Sequence, residues 1–442
     1  MRKLKAAWLL AFITSAAACA QSKAGATPVG AAFAPSEELN RQLPQWLRFS
    51  GDYRARFEGV DGIGHRDASD AYLLSRFRLN MKIQPKSWLK FNFQGQDARV
   101  YGINQRPLGA PFQDVMDLRM AFVEIGDTET KWFGIRAGRQ ELVFGEQRLV
   151  GHGNWFNTAR TFDAARLTLR HKGYRLDAFA ASVVNMRDGE FNRLADGNNF
   201  HGLYGGIEKL VPNAVIEPYV FWRLAPRILN ESGVRSNLDS KTAGFRWAGK
   251  LPRNFDYGTE IAKQTGGLGT DSVGAWAGHW RLGYTVTNLR FKPRFIGEYN
   301  FASGDRDAKD GRRGTFDILY PTPHDKYGLA NQVGWKNIHH ARFGPEFKPH
   351  AKWTIGANYH SWWLASLTDS LYSATGAALF RSPAGTAGRH VGQELDAQVF
   401  YTMNKQLQIA GGVGHIFPGA FLRNVSPGRA YTFTYLMTGY SF

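Results

Sequence analysis

Residues 47–57 read LRFSGDYRARF, and polar and apolar positions alternate along them without a break. The odd positions hold apolar residues or glycine, whereas the even positions are polar and include Arg48, Arg54 and Arg56. Because successive residues of a strand point to opposite faces, this segment has one apolar face and one charged face. Several arginines on the polar face favour a strand of a membrane barrel, whose apolar face meets lipid and whose polar face lines a water-filled interior.

The same alternation recurs along the chain and predicts eighteen strands between turn residues. An even number of strands is what a single-chain bacterial outer-membrane barrel requires. The predicted fold is therefore all-β, a transmembrane antiparallel up-and-down β-barrel of 18 strands. The strands are expected near residues 46–58, 71–84, 87–98, 115–125, 131–140, 163–171, 174–184, 200–209, 214–224, 241–250, 255–264, 273–285, 290–302, 338–348, 351–363, 390–402, 405–415 and 429–442.

The connections between these strands are alternately short and long. Short turns are predicted at residues 85–86, 126–130, 172–173, 211–213, 251–253, 287–288, 349–350 and 403–404. Long connections are predicted at the other end, notably at residues 141–162, 185–199, 303–337 and 364–389. Bacterial barrels place short turns in the periplasm and long loops outside. We therefore expect both chain termini to be periplasmic and the protein to lie in the bacterial outer membrane.

The first 45 residues are predicted to lie outside the barrel, which spans residues 46–442. Residues 1–20 combine a basic start, an apolar run and small residues around Cys19, which is typical of a signal peptide. A lipoprotein anchor at Cys19 is the alternative, because the preceding alanines loosely resemble a lipobox. Residues 21–45 are rich in Ala, Gly, Pro and Ser and predict a flexible periplasmic leader, with a pore plug as the alternative.

Composition excludes several other classes of protein. The formal charge is +18, but a secreted chain is not expected to meet nucleic acid. Beyond the signal peptide, no run of eighteen apolar residues predicts a transmembrane helix. No zinc, phosphate-loop or paired-cysteine motif appears, so no cofactor is expected. The terminal Phe442 resembles the signal that barrel-assembly machinery recognises, which makes that machinery and outer-membrane lipid expected partners.

The strand phases place many basic residues on the inner wall. A lipid-facing charge near the bilayer midplane costs about 2–4 kcal/mol, so the charged face must point inward. Inward positive charges outnumber negative ones, and rings of Arg and Lys attract and pass anions. The alternative is an ion-paired lattice that only stiffens the wall. The candidate pore-lining residues from this argument are Arg48, Arg54, Arg56, Arg76, Arg78, Lys90, Arg136 and Arg294.

One long stretch resembles a known family. Residues 138–151 read GRQELVFGEQRLVG, and WFN at 155–157, RTFD at 160–163 and ARL at 165–167 follow. Together with SGD at 303–305, TFD at 315–317, YPT at 320–322 and VGQELD at 391–396, they resemble the alginate export family of eighteen-stranded outer-membrane barrels.

The resemblance implies passage of an anionic, uronate-type polysaccharide through an arginine-lined pore. It also implies that six residues shape the outer mouth and constriction, namely Arg139, Glu141, Arg148, Arg160, Asp163 and Arg166. Alternatively, four of them only tie down a loop folded into the lumen, namely Glu141, Arg148, Arg160 and Asp163. A fold alone does not fix a substrate. A general porin for small organic anions and an outer-membrane hydrolase therefore stay open as alternative functions.

One loop carries candidate metal ligands. Asp305, Asp307 and Asp310 are spaced as in a calcium-binding loop. Lys309 interrupts the ligand series, which favours a solvated extracellular loop instead. No metal is therefore assigned from the sequence.

Overall fold

The computed structural model describes residues 34–105 and 108–442, and strands dominate it. Its helical elements are α1 (Pro35–Gln42), a 3₁₀ turn (Ile63–His65) and α2 (Ala420–Val425). Its strands are β1 (Leu47–Asp61), β2 (Ser69–Lys86), β3 (Leu89–Tyr101), β4 (Asp114–Gly126), β5 (Phe133–Gln140), β6 (Phe162–His171), β7 (Tyr174–Asn185), β8 (Arg193–Ile207), β9 (Ala214–Leu229), β10 (Arg235–Leu251), β11 (Phe255–Leu268), β12 (Asp271–Thr285), β13 (Arg294–Ala302), β14 (Arg312–Arg313), β15 (Ile338–Phe347), β16 (Trp353–Leu364), β17 (Ser370–Tyr372), β18 (Ala378–Arg381), β19 (His390–Thr402), β20 (Leu407–Pro418) and β21 (Tyr431–Ser441).

Eighteen of these strands close into one antiparallel barrel. Each wall strand pairs with the next, and β21 pairs with both β20 and β1. Beyond the last strand, the Gly51 N–H donates to the Phe442 carbonyl at 2.8 Å, and the Phe442 N–H donates back at 2.9 Å. Strands β14, β17 and β18 lie in the long connections and not in the wall. The predicted barrel of 18 strands is confirmed.

The two faces of β1 are those the alternation predicts. Arg54 and Arg56 are only 7% and 2% exposed, whereas Tyr53 and Phe57 are 41% and 47% exposed. The arginines face a filled lumen, and the aromatic rings face outward. Among the described residues, no helix is both long and apolar enough to cross a bilayer.

One predicted long connection is wrong. Residues 185–199 were expected to form a loop, but β8 already begins at Arg193 and pairs with β7 through Leu194 and Val184. The register shifts between Ser182 and Val184, so a bulge interrupts the β7–β8 pairing near the long-loop end. Polar residues in this bulge obscure the polar–apolar alternation that predicts a strand. The long connections predicted near residues 141–162, 303–337 and 364–389 are confirmed within two residues at either end.

The segment before the barrel contains a helix where the sequence predicted a flexible leader. The predicted signal peptide and residues 21–33 lie outside the described residues. In α1, proline in the first turn and acidic residues near the N-terminus suit a helix start. The Asn40 side chain donates to the Phe49 carbonyl at 2.7 Å and accepts from the Phe49 N–H at 2.8 Å. This helix is therefore docked beside the start of β1.

The closing seam between β1 and β21 provides a test of the packing. A methyl group on Gly51 would lie 2.6 Å from the Arg78 carbonyl oxygen and 2.5 Å from the Phe442 ring, whereas one on Gly439 would meet nothing within 4 Å. Overpacking of this kind costs about 1–3 kcal/mol. Gly51→Ala should therefore lower the temperature at which the barrel loses its compact migration in SDS electrophoresis. Gly439→Ala is the matched control and should migrate like the wild type; equal losses in both would contradict the seam.

Candidate functional site

Two connections at the long-loop end fold back into the lumen. Inner loop 1 is residues 141–161, between β5 and β6, and inner loop 2 is residues 314–337, between β14 and β15. Both bury large apolar side chains, including Leu142, Leu149, Phe316 and Trp335. Burial of these side chains shows that the two loops form a second core inside the barrel wall.

The two inner loops pack against each other. The Tyr320 N–H donates to the Leu149 carbonyl and the Gly151 N–H donates to the Tyr320 carbonyl, both at 2.8 Å. The rings of Trp155 and His324 stack with their centroids 3.5 Å apart. These contacts make the loops one unit, which we call the loop plug.

An aromatic cluster anchors the loop plug to one side of the barrel. The Phe144 ring stacks on Tyr204 and Phe179, with centroids 4.6 and 5.4 Å apart. Phe179 and Asp177 are both buried on the same side of β7, so the inner face changes from polar to aromatic along one strand. A prediction that every apolar face of a strand meets lipid misses this cluster. The sequence does contain one indication of it, because Phe179 lies two residues from the charged Asp177 and so shares its inward face.

Four arginines on β1 and β2 hold the other side of inner loop 1. The arginine quartet is Arg54, Arg56, Arg76 and Arg78, all of which are buried. Arg54 donates to the carbonyls of residues 154 and 156 at 2.8 and 3.0 Å, and Arg56 donates to that of residue 155 at 2.6 Å. Arg76 and Arg78 donate to the side-chain oxygen of residue 154, at 3.0 and 2.8 Å. Neutral oxygens of inner loop 1 thus accept many of the hydrogen bonds that these guanidiniums donate.

The arginine quartet is only partly neutralised by carboxylates. Glu58 lies 2.7 Å from Arg56 and Asp52 lies 3.2 Å from Arg76. Within the described chain, no carboxylate comes within 4.0 Å of the two remaining arginines. Buried charges need partners, and here backbone dipoles replace acids. The quartet therefore carries a net positive charge beside the plug.

The residues implied by the family resemblance lie at or near the loop plug. Arg160 donates to the carbonyls of Gly151 and Pro321 at 3.1 Å each, so it links the two inner loops. Burial lowers the pKa of Arg160 to about 10. Arg148 lies 3.0 Å from Glu298 on β13 and 3.3 Å from the Tyr327 hydroxyl of inner loop 2. Both arginines therefore fasten loops.

The remaining predicted mouth residues form ion pairs. Arg139 and Asp163 are cross-strand partners joined by two hydrogen bonds of 2.9 and 3.1 Å. Glu141 accepts from Arg119; burial favours its neutral form, but this guanidinium holds its pKa below the usual range. Arg166 donates twice to Asp177, at 3.0 and 2.9 Å. Glu141 thus tethers inner loop 1 to β4, whereas the other two pairs join neighbouring strands of the wall.

Three further predicted residues lie toward the short-turn end and are paired with acids. Lys90 lies 2.9 Å from Glu124, and Arg136 donates to the same carboxylate at 2.7 Å. Arg294 donates twice to Asp256, at 2.9 and 2.6 Å. These pairs match the predicted alternative of an ion-paired wall. Arg48 instead donates to the Pro44 carbonyl at 2.6 Å, next to α1.

The loop plug carries a central acid at Glu146. It lies 3.1 Å from Arg246, 3.3 Å from Arg281 and 3.6 Å from Arg148. Burial opposes its charge, but the three guanidiniums hold its pKa well below the usual range. Arg246 and Arg281 project from β10 and β12, so one loop carboxylate binds two wall strands.

Buried histidines of β15 and β16 form a directed hydrogen-bond chain that starts at Asn300 of β13. The Asn300 amide donates to Glu298 at 2.9 Å and, also at 2.9 Å, to His340 Nδ1, which must therefore accept. His340 Nε2 then donates to His360 Nδ1 at 2.9 Å. Beyond the chain, His360 Nε2 lies 2.9 Å from an Asp396 carboxylate oxygen. These histidines are buried structural links, and no local sequence pattern indicates that they converge.

A Ser–His contact bears on the hydrolase alternative. Ser361 Oγ and His390 Nε2 lie 3.3 Å apart. Across the described ranges, no hydrogen bond or ion pair joins His390 to a carboxylate. A serine hydrolase positions its histidine with such an acid.

The candidate calcium ligands divide between two arrangements. Asp305 and Asp310 approach Glu231 of the β9–β10 connection, with oxygens within 4.8 Å of one another. Asp307 is not in that group and accepts the Lys309 N–H at 3.1 Å. Burial and the nearby Asp305 raise the pKa of Glu231. The acidic group therefore differs from the predicted one by including Glu231 in place of Asp307.

Solved outer-membrane porin structures share this fold. OccK8 (OprE) of Pseudomonas aeruginosa aligns with a TM-score of 0.60 at 13% identity, over 90% of this chain and 98% of that one. The outer membrane protein opdK of the same species gives 0.60 at 9% identity, over 90% and 98% of the chains. OccAB2 of Acinetobacter baumannii gives 0.59 at 11% identity, over 89% and 98%. At these identities the likeness shows the fold alone.

Sequence comparison identifies the family. A search of curated proteins returns no matching sequence. The family model described as alginate export matches residues 45–434, which is nearly the whole barrel. Together with the closed barrel of eighteen strands and its porin neighbours, this match indicates an outer-membrane channel. The chain therefore belongs to the alginate export family.

Proposed function

We propose that this protein is an anion-selective channel that passes an acidic polysaccharide of the uronate type. The arginine quartet carries the proposal, because four buried guanidiniums share only two close carboxylates. A positive potential in a narrow low-dielectric passage concentrates anions and repels cations. Membership in the alginate export family supports the polymer as cargo.

The proposal includes an orientation. The long-loop end faces the outside and both termini face the periplasm, as short turns at the terminal end favour. Phe442, which pairs with Gly51 at the closing seam, is the contact for the assembly machinery. The protein acts as a channel and not as an enzyme.

A porin for small organic anions is the second candidate. The observation that favours it is the loop plug, whose two loops are bonded to each other and to several wall strands. A polymer needs a continuous bore along the lumen, whereas a small anion needs only a series of weak contacts. The two candidates therefore differ in whether the plug must move.

The charge of the arginine quartet can be separated from its shape. The double variant Arg54→Gln/Arg78→Gln replaces the two guanidiniums that have no close carboxylate with neutral amides. The anion-to-cation permeability ratio in planar bilayers should fall at least about threefold, because the local potential drops. Arg54→Lys/Arg78→Lys is the matched control; it keeps the charge, loses the planar fork and should retain the ratio. A ratio unchanged in the glutamine variant would contradict the role of the quartet.

Locking the loop plug distinguishes polymer from small anion. Val150 and Tyr320 form a parallel bridge between the inner loops, and the chain's one cysteine, Cys19, lies in the predicted signal peptide. Oxidised Val150→Cys/Tyr320→Cys should stop oligouronate passage while chloride current continues, since the joined loops cannot separate. Reduction of the same variant is the control and should restore passage. Oligouronate flux that persists after complete cross-linking would count against a moving plug.

Selectivity should also depend on pH through Lys326 of inner loop 2. Burial, reinforced by the nearby Arg148, lowers the pKa of Lys326 to about 8. Raising the pH from 7 to 9 therefore removes most of one positive charge from the plug, and anion selectivity should decline. Lys326→Arg stays charged across this range and should show a smaller decline. Identical pH profiles for the two proteins would show that Lys326 does not contribute.

A further inference from the structure

Two lysines of the barrel wall point toward lipid. On β10 the side chains of Ser240 and Thr242 are buried in the barrel, so Lys241 between them faces outward. On β11 Gln264 is likewise buried inward, and the neighbouring Lys263 is exposed on the outer face. Lipid-facing lysines are costly unless they lie near the membrane surface.

These lysines lie together between two tryptophans. In the strand register Lys241 pairs with Trp222 of β9, and Lys263 pairs with Trp276 of β12. Lys241 also pairs with Thr265, which makes Lys263 its diagonal neighbour, at about 7–8 Å in such ladders. The Lys241 ammonium lies 5.6 Å from the centre of the Trp222 ring. We call these four residues the Trp–Lys patch.

The Trp–Lys patch belongs to the half of the wall nearer the long loops. Both lysines are closer to the long-loop ends of β10 and β11 than to the short turn at residues 252–254. Tryptophans favour the level of lipid headgroups. The patch therefore lies where the phosphates of one leaflet meet the barrel.

No carboxylate of the described residues pairs directly with the lysines of the patch. In the described part of the chain, neither lysine lies within 4.0 Å of a carboxylate. Asp239, on the same face, accepts the Trp222 indole N–H at 2.8 Å. By contrast, Arg99 on the outer face of β3 is paired with Asp97 at 2.7 and 2.9 Å. Without a paired carboxylate among the described residues, the two diagonal lysines present positive charge that an external anion could bind.

A shallow apolar groove starts at the same tryptophan. Its volume is about 630 Å³, and Trp222 lines it together with Leu203 and Val220. Ala178 and Ala180 also line it, and side chains this small leave a depression in the outer wall. The groove and the lysines are therefore continuous through Trp222, as a headgroup and its acyl chain would require.

We propose that the Trp–Lys patch binds the phosphate group of a phosphorylated lipid in the leaflet at the long-loop end. Lys241 and Lys263 hold the phosphate, Trp222 and Trp276 flank the headgroup, and the groove accepts an acyl chain. This inference rests on the barrel lying in a membrane and not on anion conduction. Conductance measurements therefore do not decide it.

The test counts bound phosphatidic acid by native mass spectrometry on the full barrel in detergent. Lys241→Gln/Lys263→Gln should weaken binding about tenfold, because two surface charges are lost. Lys131→Gln/Lys209→Gln removes two exposed lysines near the short turns and should bind like the wild type. Lys241→Arg/Lys263→Arg should retain binding, which separates charge loss from misfolding. Equal binding by both glutamine variants would overturn the site.

Two further measurements identify the ligand source and the groove. Inorganic phosphate in large excess should not displace the lipid; full displacement would show a phosphate site and overturn the lipid assignment. Ala178→Leu/Ala180→Leu fills the groove and should weaken dioleoyl phosphatidic acid without affecting the dihexanoyl form, whose chains are too short to fill it. Unchanged binding of the long-chain lipid would overturn the role of the groove.

Discussion

The backbone hydrogen bond is the constraint on which this structure depends. Lipid offers no partner for a free N–H or carbonyl, so a membrane-spanning sheet must close on itself. Closure at the β1–β21 seam fixes which phase of every strand meets lipid. The phase then sends Arg54 and Arg56 inward, where they face the inner loops rather than bulk water.

Burial of the arginines explains the form of the loop plug. A guanidinium offers five donors and cannot lose its proton at neutral pH. Inner loop 1 meets that demand with carbonyl oxygens of residues 154–156, which neutralise nothing but satisfy the donors. Positive charge and tight packing therefore coexist in one lumen. The proposed function depends on this combination, because the same contacts attract anions and narrow their path.

Much of the fold could be predicted because the alternation in β1 is a local pattern repeated in each wall strand. The start of β8 could not, since a bulge breaks its alternation. The candidate site was less predictable than the fold. The alternation along β1 and β2 predicts that the arginine quartet faces inward, but no local sequence pattern shows that carbonyl groups of inner loop 1 cover it. The aromatic cluster around Phe144 was missed because an inward apolar residue and a lipid-facing one look alike in sequence.

The same ambiguity hid the outward lysines. In sequence, Lys241 and Lys263 look like any other solvated charge, and only the strand register places them beside Trp222 and Trp276. The outer surface is therefore not a uniform apolar belt, and we propose that it binds lipid while the lumen selects solutes. These two properties belong to opposite faces of the same strands.

The proposed function depends above all on anion selectivity of the lumen. The reversal potential of the purified wild-type barrel across a tenfold potassium chloride gradient in a planar bilayer tests it most directly. An anion-selective lumen should give a reversal potential displaced toward the equilibrium potential of chloride. A reversal potential of zero, or one displaced toward the equilibrium potential of potassium, would contradict anion selectivity.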